Sequence, residues 1–214
     1  MRPLEDCRLY TFVDTAYLKG RAPETIAQQL CDGGSDLIQL RAKGVSQDEI
    51  RRMAERIVPI TKRAGVGLVI NDYPEIAGEV GAEFCHLGQE DYGEFKRKKA
   101  KGKISDGQIK LGLSTHSPHE AGEAIREGTD YIAIGPVYAT GTKPGRKPVT
   151  LEYVQWAAQH VKVPWFAIGG INLENLDEVL AAGTKRICVV SAVLNAPGVA
   201  EACLEFRKHL SANG

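Results

Sequence analysis

GLVINDY, residues 67–73, joins an apolar run directly to an amide and a carboxylate. Leu68, Val69 and Ile70 are typical of a buried strand, whereas Asn71 and Asp72 are not. A buried carboxylate without a partner is costly, so it shifts its pKa, pairs with a cation or binds a metal. This stretch therefore predicts a strand that ends at a polar site.

Similar apolar runs recur along the 214-residue chain, with amphipathic segments between them. Most are continuous rather than alternating, which is typical of strands covered on both faces. We predict strands at 9–13, 37–41, 67–72, 83–88, 109–115, 131–137, 164–170 and 186–192. Eight strands that alternate with helices predict an α/β protein with one (β/α)8 TIM-barrel domain over residues 1–214 and short flexible termini. An open doubly wound sheet fits less well, because no G-x-G-x-x-G follows the first strand.

Helix signals lie between the predicted strands. Ser46 and Ser117 are predicted helix caps, and Thr150 can open a helix that ends at His160. Asn172 can cap a helix over 173–182. Pro59 lies inside the segment that follows Ser46, and we expect it to kink or interrupt that helix.

Composition and charge exclude several classes of function. Lys plus Arg and Asp plus Glu each number 27, so the net charge is zero and we expect no nucleic-acid or membrane partner. The N-terminus lacks the apolar core of a signal peptide, and no apolar run approaches the ~20 residues of a membrane span. Five widely spaced cysteines without a C-x-x-C favour reduced thiols in a cytoplasmic protein. The basic run KRKKAKGK, 96–103, is interpreted as a solvated helix end and loop.

Residues that follow the predicted strands are candidates for a site, because active sites of barrels form where strands end. They comprise basic side chains, carboxylates and backbone donors, the last near the position where barrels often bind phosphate. They are Arg41, Lys43 and Lys143; Asp72 and Asp91; and Gly169, Gly170 and Ser191. This combination suits a pyrophosphate bridged by Mg²⁺, which favours one or two carboxylates together with phosphate oxygens.

Each candidate also has a purely structural interpretation. Asp72 can cap the next helix, and Asp91 can be an ordinary first-turn carboxylate. Gly169 and Gly170 can form a tight turn. His116 is interpreted as a residue that orients a loop or cap rather than a catalytic one. The functional interpretation depends on the whole set lying at one rim of the barrel.

The same strand ends carry motifs that resemble those of the thiamine-phosphate synthase family. The motifs are QLRAK at 39–43, IND at 70–72, HLGQED at 86–91, GLSTH at 112–116, GPVYATGTK at 135–143, AIGGIN at 167–172 and VVSA at 189–192. The resemblance extends from about Leu9 to Leu210, with the motifs in the family's order. It implies an enzyme that joins 4-amino-2-methyl-5-hydroxymethylpyrimidine diphosphate to thiazole phosphate and releases pyrophosphate.

The resemblance also implies roles for single residues. Mg²⁺ is implied to bind to Asp72 and Asp91, and the C–O bond to pyrophosphate is implied to break before the thiazole nitrogen attacks. The implied catalytic residues are Arg41, Lys43, Ser114 and Lys143. The implied substrate-binding residues are Gln39, Arg41, Lys43, Asn71, Ser114, Thr140, Thr142, Lys143, Gly170, Val190 and Ser191.

Two other functions on the same barrel are open at this point. A related thiazole tautomerase would use a histidine near the fifth strand, here His116, but that type generally lacks the pairing of QLR with the GQED carboxylate and the T-x-T-K loop. A non-catalytic sensor of phosphate ligands would need no Mg²⁺ carboxylates opposite three cations. The expected partners are the two small-molecule substrates, and a homo-oligomer is possible.

Overall fold

Eight parallel strands pair in chain order and close into a barrel in the computed structural model, which describes residues 1–100, 109–141 and 147–212. Leu9 and Tyr10 of the first strand pair with Ile187 and Cys188 of the last, which closes the sheet on itself. The predicted (β/α)8 barrel is confirmed. The strands are β1 Leu9–Asp14, β2 Leu37–Arg41, β3 Gly67–Asn71, β4 Phe84–Leu87, β5 Lys110–Thr115, β6 Tyr131–Ile134, β7 Trp165–Ile168 and β8 Ile187–Cys188.

Helices follow the strands and cover the outside of the barrel. They are α1 Pro23–Asp32, α2 Gln47–Ala64, α3 Pro74–Val80, α4 Gln89–Ala100, α5 Pro118–Arg126, α6 Thr150–His160, α7 Leu176–Ala181, α8 Ser191–Leu194 and α9 Val199–Ala212. The extension of one domain to both termini, and the flexibility of those termini, stay predictions. Within the parts of the chain that the structure describes, no helix combines the length and apolar character of a membrane span.

Local hydrogen bonds explain where several helices begin. The hydroxyl of Ser46 accepts from the backbone N–H of Glu49 at 3.3 Å, and that of Ser117 accepts from Glu120 at 3.2 Å, as predicted for the two caps. The helix predicted from Leu173 begins instead at Leu176. The side chain of Asn172 accepts from the backbone of the next residues and holds a turn there, which delays the helix.

Pro59 does not interrupt α2, so that part of the prediction was wrong. The helix runs without a break over Gln47–Ala64 with Pro59 inside it. Pro59 lies on the exposed face of the helix, where water can satisfy the carbonyl that loses its N–H partner. The buried residues Met53, Ile57 and Thr61 hold both halves of the helix against the barrel.

An aromatic layer fills the lower part of the barrel. Tyr10, Phe84, Tyr131 and Phe166 are fully or almost fully buried, with ring centroids 5.3 Å apart for Tyr10–Phe166 and 6.0 Å apart for Phe84–Tyr131. Side chains two positions further along a strand point to the same side. The residues at those next interior positions are Phe12, His86, Ala133 and Ile168. The small side chain of Ala133 leaves space above the aromatic layer, at the carboxyl ends of the strands.

Candidate active site

Two adjoining cavities open at the carboxyl ends of the strands. The Gln39 cavity encloses roughly 610 Å³, including space open to solvent, and residues on or after β2, β3 and β4 line it: Gln39, Arg41, Lys43, Asn71, Asp72 and Asp91. The Gly170 cavity has a volume of roughly 590 Å³ and includes Thr140, Gly170 and Ser191 in its wall. Ser114, Ala133, Ile168, Cys188 and Val190 line both cavities, so two bound ligands would lie side by side.

The structure therefore brings the described candidate residues to one rim, as the sequence predicted. Those predicted beside a pyrimidine diphosphate lie in the Gln39 cavity, and those predicted beside a thiazole phosphate lie in the Gly170 cavity. Ser114 contributes to both. Thr142 and Lys143 lie outside the described residues, as do residues 101–103 of the basic run. The individual roles of all these residues stay predictions.

Arg41 is held in place by a carboxylate at the end of the neighbouring strand. Nη1 of Arg41 donates to Oδ2 of Asp14 at 2.8 Å, and the backbone N–H of Ala16 donates to Oδ1 of the same carboxylate at 3.0 Å. The side chain of Asp14 is 1% exposed and that of Arg41 14% exposed. A buried carboxylate engaged at both oxygens keeps the guanidinium in one orientation, which reduces the reordering needed to bind an anion.

Asp72 and Asp91 are close enough to influence each other. Asp72 follows β3 with a left-handed φ of 68°, which is uncommon for a residue with a side chain, and its N–H donates to the carbonyl of His86 at 2.9 Å. Lys43 forms an ion pair with the carboxylate of Asp72. Burial, followed by the negative charge of Asp72, raises the pKa of Asp91, whereas Lys43 opposes that shift. Two carboxylates that repel each other in this way form a site that favours a cation.

The donor set fits magnesium better than zinc. Among the residues that the structure describes, no group of three or more histidine, cysteine, aspartate and glutamate side chains is placed to hold a metal. Zinc usually takes three or four such ligands. Mg²⁺ is instead bound by one or two carboxylates, with waters and substrate phosphates as its other ligands. The Asp72 and Asp91 pair therefore matches a metal that arrives with a phosphate substrate.

Gly169 and Gly170 let the chain after β6 approach the cavity wall. Their φ angles are 105° and 68°, in the region that glycine adopts without strain. A Cβ on Gly170 would lie 2.7 Å from Cβ of Tyr138 and 2.9 Å from the carbonyl oxygen of Ala139. The pair is thus both a turn and part of the cavity, so the two interpretations of these glycines are compatible.

His116 has the local contacts expected of a residue that orients a cap. Its Nδ1 lies 2.8 Å from Oε2 of Glu120, and its backbone N–H donates to the same oxygen at 2.8 Å. Both contacts tie the end of β5 to the first turn of α5. The side chain also lines the Gly170 cavity.

Comparison with known proteins assigns the family. The family model for thiamine monophosphate synthase matches residues 9–193. The chain belongs to the thiamine monophosphate synthase family. It is 43% identical over 179 residues to the thiamine-phosphate synthase of Thermus thermophilus, covering 83% of this chain and 84% of the relative. It is 41% identical over 211 residues to that of Acidothermus cellulolyticus, covering 98% and 97%.

A solved member of the same family has the same fold. The thiamine phosphate pyrophosphorylase of Pyrococcus furiosus superposes with a TM-score of 0.85 at 29% identity, covering 98% of each chain. The expected function of a thiamine-phosphate synthase is confirmed, as is the expected enzyme class, a transferase. These relatives do not favour a tautomerase or a sensor.

Four residues at the site of this protein were not among the site residues predicted from the sequence. Asp14 is one, and its signal is its position at the end of β1, where the sequence runs from LYTFV into an aspartate. Tyr10, His86 and Tyr131 are the others, and they form a hydrogen-bonded chain inside the barrel. Only the assembled barrel brings these three side chains together, since they belong to three different strands.

Proposed function

We propose that this chain joins a 4-amino-2-methyl-5-hydroxymethylpyrimidine diphosphate, bound in the Gln39 cavity, to a thiazole phosphate, bound in the Gly170 cavity. The observation that carries the proposal is the shared wall of the two cavities, at Ser114, Ala133, Ile168, Cys188 and Val190. The C–O bond to the diphosphate breaks, and the thiazole nitrogen forms a C–N bond to the same methylene carbon. The products are thiamine phosphate and pyrophosphate.

Basic and amide groups at the barrel rim are proposed to stabilise the negative charge of the leaving group. Arg41, held by Asp14, and Lys43 lie in the wall of the Gln39 cavity together with the amide of Asn71. These donors face a diphosphate whose negative charge grows as the C–O bond breaks, so they stabilise the transition state more than the ground state. Lys143, which follows β6 in the sequence, is proposed to add a further cation.

Asp72 and Asp91 are proposed to hold Mg²⁺. Their carboxylates fit the ion because they lie at one cavity and because the charge of Asp72 raises the pKa of Asp91. When bound, Mg²⁺ neutralises negative charge on the phosphate oxygens that it contacts. Lys43, which pairs with Asp72, lines the same cavity as the two aspartates.

The Gly170 cavity is proposed to orient the thiazole phosphate. Thr140 and Ser191 offer hydroxyls, and Gly170 and Val190 also line the wall. Thr142 is proposed to add a third hydroxyl. Apolar residues such as Ile168 and Ile171 complete the wall and suit the thiazole ring. Holding both substrates at one rim converts a bimolecular encounter into a local reaction.

Pyrophosphate release tests the proposal. Mixing the protein with both substrates and Mg²⁺ should release one pyrophosphate for each thiamine phosphate formed, and either substrate alone should release none. Adding a chelator should stop the reaction, and restoring Mg²⁺ should recover it. No pyrophosphate from the complete mixture would overturn the proposed reaction. A cytoplasmic location, supported by five free cysteines, is part of the proposal.

A further inference from the structure

A chain of buried hydrogen bonds crosses the barrel at the Gln39 cavity and joins two proposed substrate-binding residues. Nε2 of Gln39 donates to the hydroxyl of Tyr10 at 2.6 Å, and that hydroxyl lies 3.0 Å from the hydroxyl of Tyr131. The Tyr131 hydroxyl lies 3.1 Å from Nδ1 of His86, and Nε2 of His86 lies 3.0 Å from Oγ of Ser114. The chain therefore starts at Gln39 and ends at Ser114.

The direction of this chain follows from the chemistry of its first member. An amide nitrogen donates and does not accept, so Tyr10 accepts from Gln39 and its own single hydrogen is available to Tyr131. Tyr131 then gives its hydrogen to Nδ1 of His86. With Nδ1 as an acceptor, the neutral imidazole carries its hydrogen on Nε2 and donates it to Ser114.

The opposite direction would leave a buried hydrogen without an acceptor. If Tyr131 donated to Tyr10, the Tyr10 oxygen would face two donors and its own hydrogen would need a third partner, although Tyr10 is only 1% exposed. Burial raises the pKa of both tyrosines well above the usual value, so both hydroxyls keep their hydrogens. With Nε2 of Gln39 facing Tyr10, this direction is the one that leaves no hydroxyl hydrogen of the two tyrosines unpaired.

A glycine at position 112 leaves the space that the side chain of Tyr131 occupies. Gly112, on the neighbouring strand β5, pairs with Tyr131, and a Cβ on this glycine would overlap the tyrosine ring and its hydroxyl. Any larger residue at position 112 would push the hydroxyl away from His86. The glycine of the GLSTH motif is therefore what allows the chain to form.

We propose that Tyr131 is a positioning residue, which holds neutral His86 as its Nε2–H tautomer and so directs the hydroxyl hydrogen of Ser114 to the pyrimidine diphosphate. Tyr131 does not line either cavity, so it acts through His86 and Ser114. Ser114 accepts from His86 and keeps its own hydrogen for a ligand acceptor, such as an oxygen of the departing diphosphate. The choice of ligand rests on the proposed function, whereas the tautomer does not.

Nitrogen-15 NMR of the histidine side chains tests the tautomer without any substrate. The protein has five histidines, and the signals of His86 are those that disappear in His86→Gln. Near neutral pH, wild-type protein should show His86 protonated at Nε2 alone. In Tyr131→Phe, which removes the hydrogen donor to Nδ1, the Nδ1 signal should move toward the shift of an unprotonated nitrogen that accepts no hydrogen bond. A wild-type His86 protonated at Nδ1, or a Tyr131→Phe spectrum identical to wild type, would overturn the proposal.

Tyr153→Phe is the matched control. Its hydroxyl is also buried, but it bonds to Oγ1 of Thr115 and the carbonyl of Ser117, each at 2.8 Å, outside the chain. This variant should leave the His86 signals where wild-type protein has them. The wild-type spectrum by itself decides the direction of the chain, so the test stands even if Tyr131→Phe does not fold.

Kinetics tests the link to the substrate. Tyr131→Phe should reduce kcat/KM for the pyrimidine diphosphate at least tenfold while the KM for the thiazole phosphate stays within twofold of wild type. Equal losses for both substrates would indicate a general structural defect and count against a positioning role. If wild-type protein releases no pyrophosphate, the proposed function fails, while the NMR result still decides the hydrogen-bond proposal.

Discussion

Arg41 and Asp14 form a buried ion pair across the neighbouring strand ends of β2 and β1, with Nη1 and Oδ2 2.8 Å apart. The pair lies at the Gln39 cavity, where Arg41 forms part of the wall. Since the carboxylate uses only one edge of the guanidinium, the other N–H groups of Arg41 can serve a phosphate. Asp14 thus links the stability of the barrel rim to the proposed binding of the diphosphate by Arg41.

Asp14→Ala should weaken both stability and catalysis. Removing one partner of a buried ion pair leaves an uncompensated charge, so we expect a loss of about 3 kcal/mol in the free energy of unfolding. We also expect a lower kcat/KM for the pyrimidine diphosphate, because Arg41 loses its fixed orientation. Urea denaturation and steady-state kinetics measure the two effects. Glu205→Ala, which breaks the exposed pair with Lys208, should change neither.

Asp72→Asn and Asp91→Asn should each reduce turnover roughly 100-fold at limiting Mg²⁺, because each removes charge from the proposed metal site. Raising the Mg²⁺ concentration should recover part of the loss. Glu79→Gln is the control, since Glu79 is a nearby carboxylate that pairs with Arg51 and has no proposed metal role. Wild-type rates for either aspartate variant at limiting Mg²⁺ would contradict the metal assignment.

The same aspartate variants should remain folded. Burial and the charge of Asp72 raise the pKa of Asp91, which means that the ionised form of Asp91 is disfavoured in the folded protein without a cation. Asp91→Asn should therefore unfold at the same temperature as wild type, or a higher one, in the absence of Mg²⁺. Thermal unfolding followed by circular dichroism measures this, and a lower transition temperature would speak against repulsion between the two carboxylates.

Gly112→Ala and Gly122→Ala should have opposite effects on stability. A methyl group at position 112 would overlap the ring of Tyr131, so we expect a loss of about 2 kcal/mol from overpacking. Gly122 lies inside α5, and a methyl group added there would have none of the described neighbouring atoms within 4 Å, so alanine should stabilise the helix by about 0.5–1 kcal/mol. Denaturant unfolding of both variants measures the difference. Equal effects would mean that the packing of Tyr131 against β5 is not as described.

The cysteines should react slowly with thiol reagents. Burial raises the pKa of Cys7 and Cys203 to about 12 and that of Cys31 to about 11. Because the thiolate is the reactive form, its fraction at pH 8 is very small in the folded protein, and it increases only as the pH rises toward these values. Titration with a chromogenic disulfide should detect five thiols in denaturant and a slow reaction in native protein. Rapid reaction of a native cysteine would contradict this.

Local patterns in the sequence predicted the elements and the strand ends that carry the chemistry. Periodicity and capping are local, which is why the barrel, the caps at Ser46 and Ser117 and the common rim of Asp72 and Asp91 were all predictable. Pro59 shows the limit of local rules, since its tolerance depends on which face of α2 meets solvent.

Which interior side chains contact each other could not be predicted from local patterns, because it depends on how the strands assemble. Asp14 and Arg41 are 27 residues apart in sequence, and Tyr10 and Tyr131 are 121 apart, so neither pair leaves a local pattern. The contacts depend on the register between parallel strands and on the closure of the barrel, which bring β1, β4 and β6 around one interior. Side-chain chemistry could be predicted from neighbours along the chain, whereas the partner of each group depended on neighbours across the sheet.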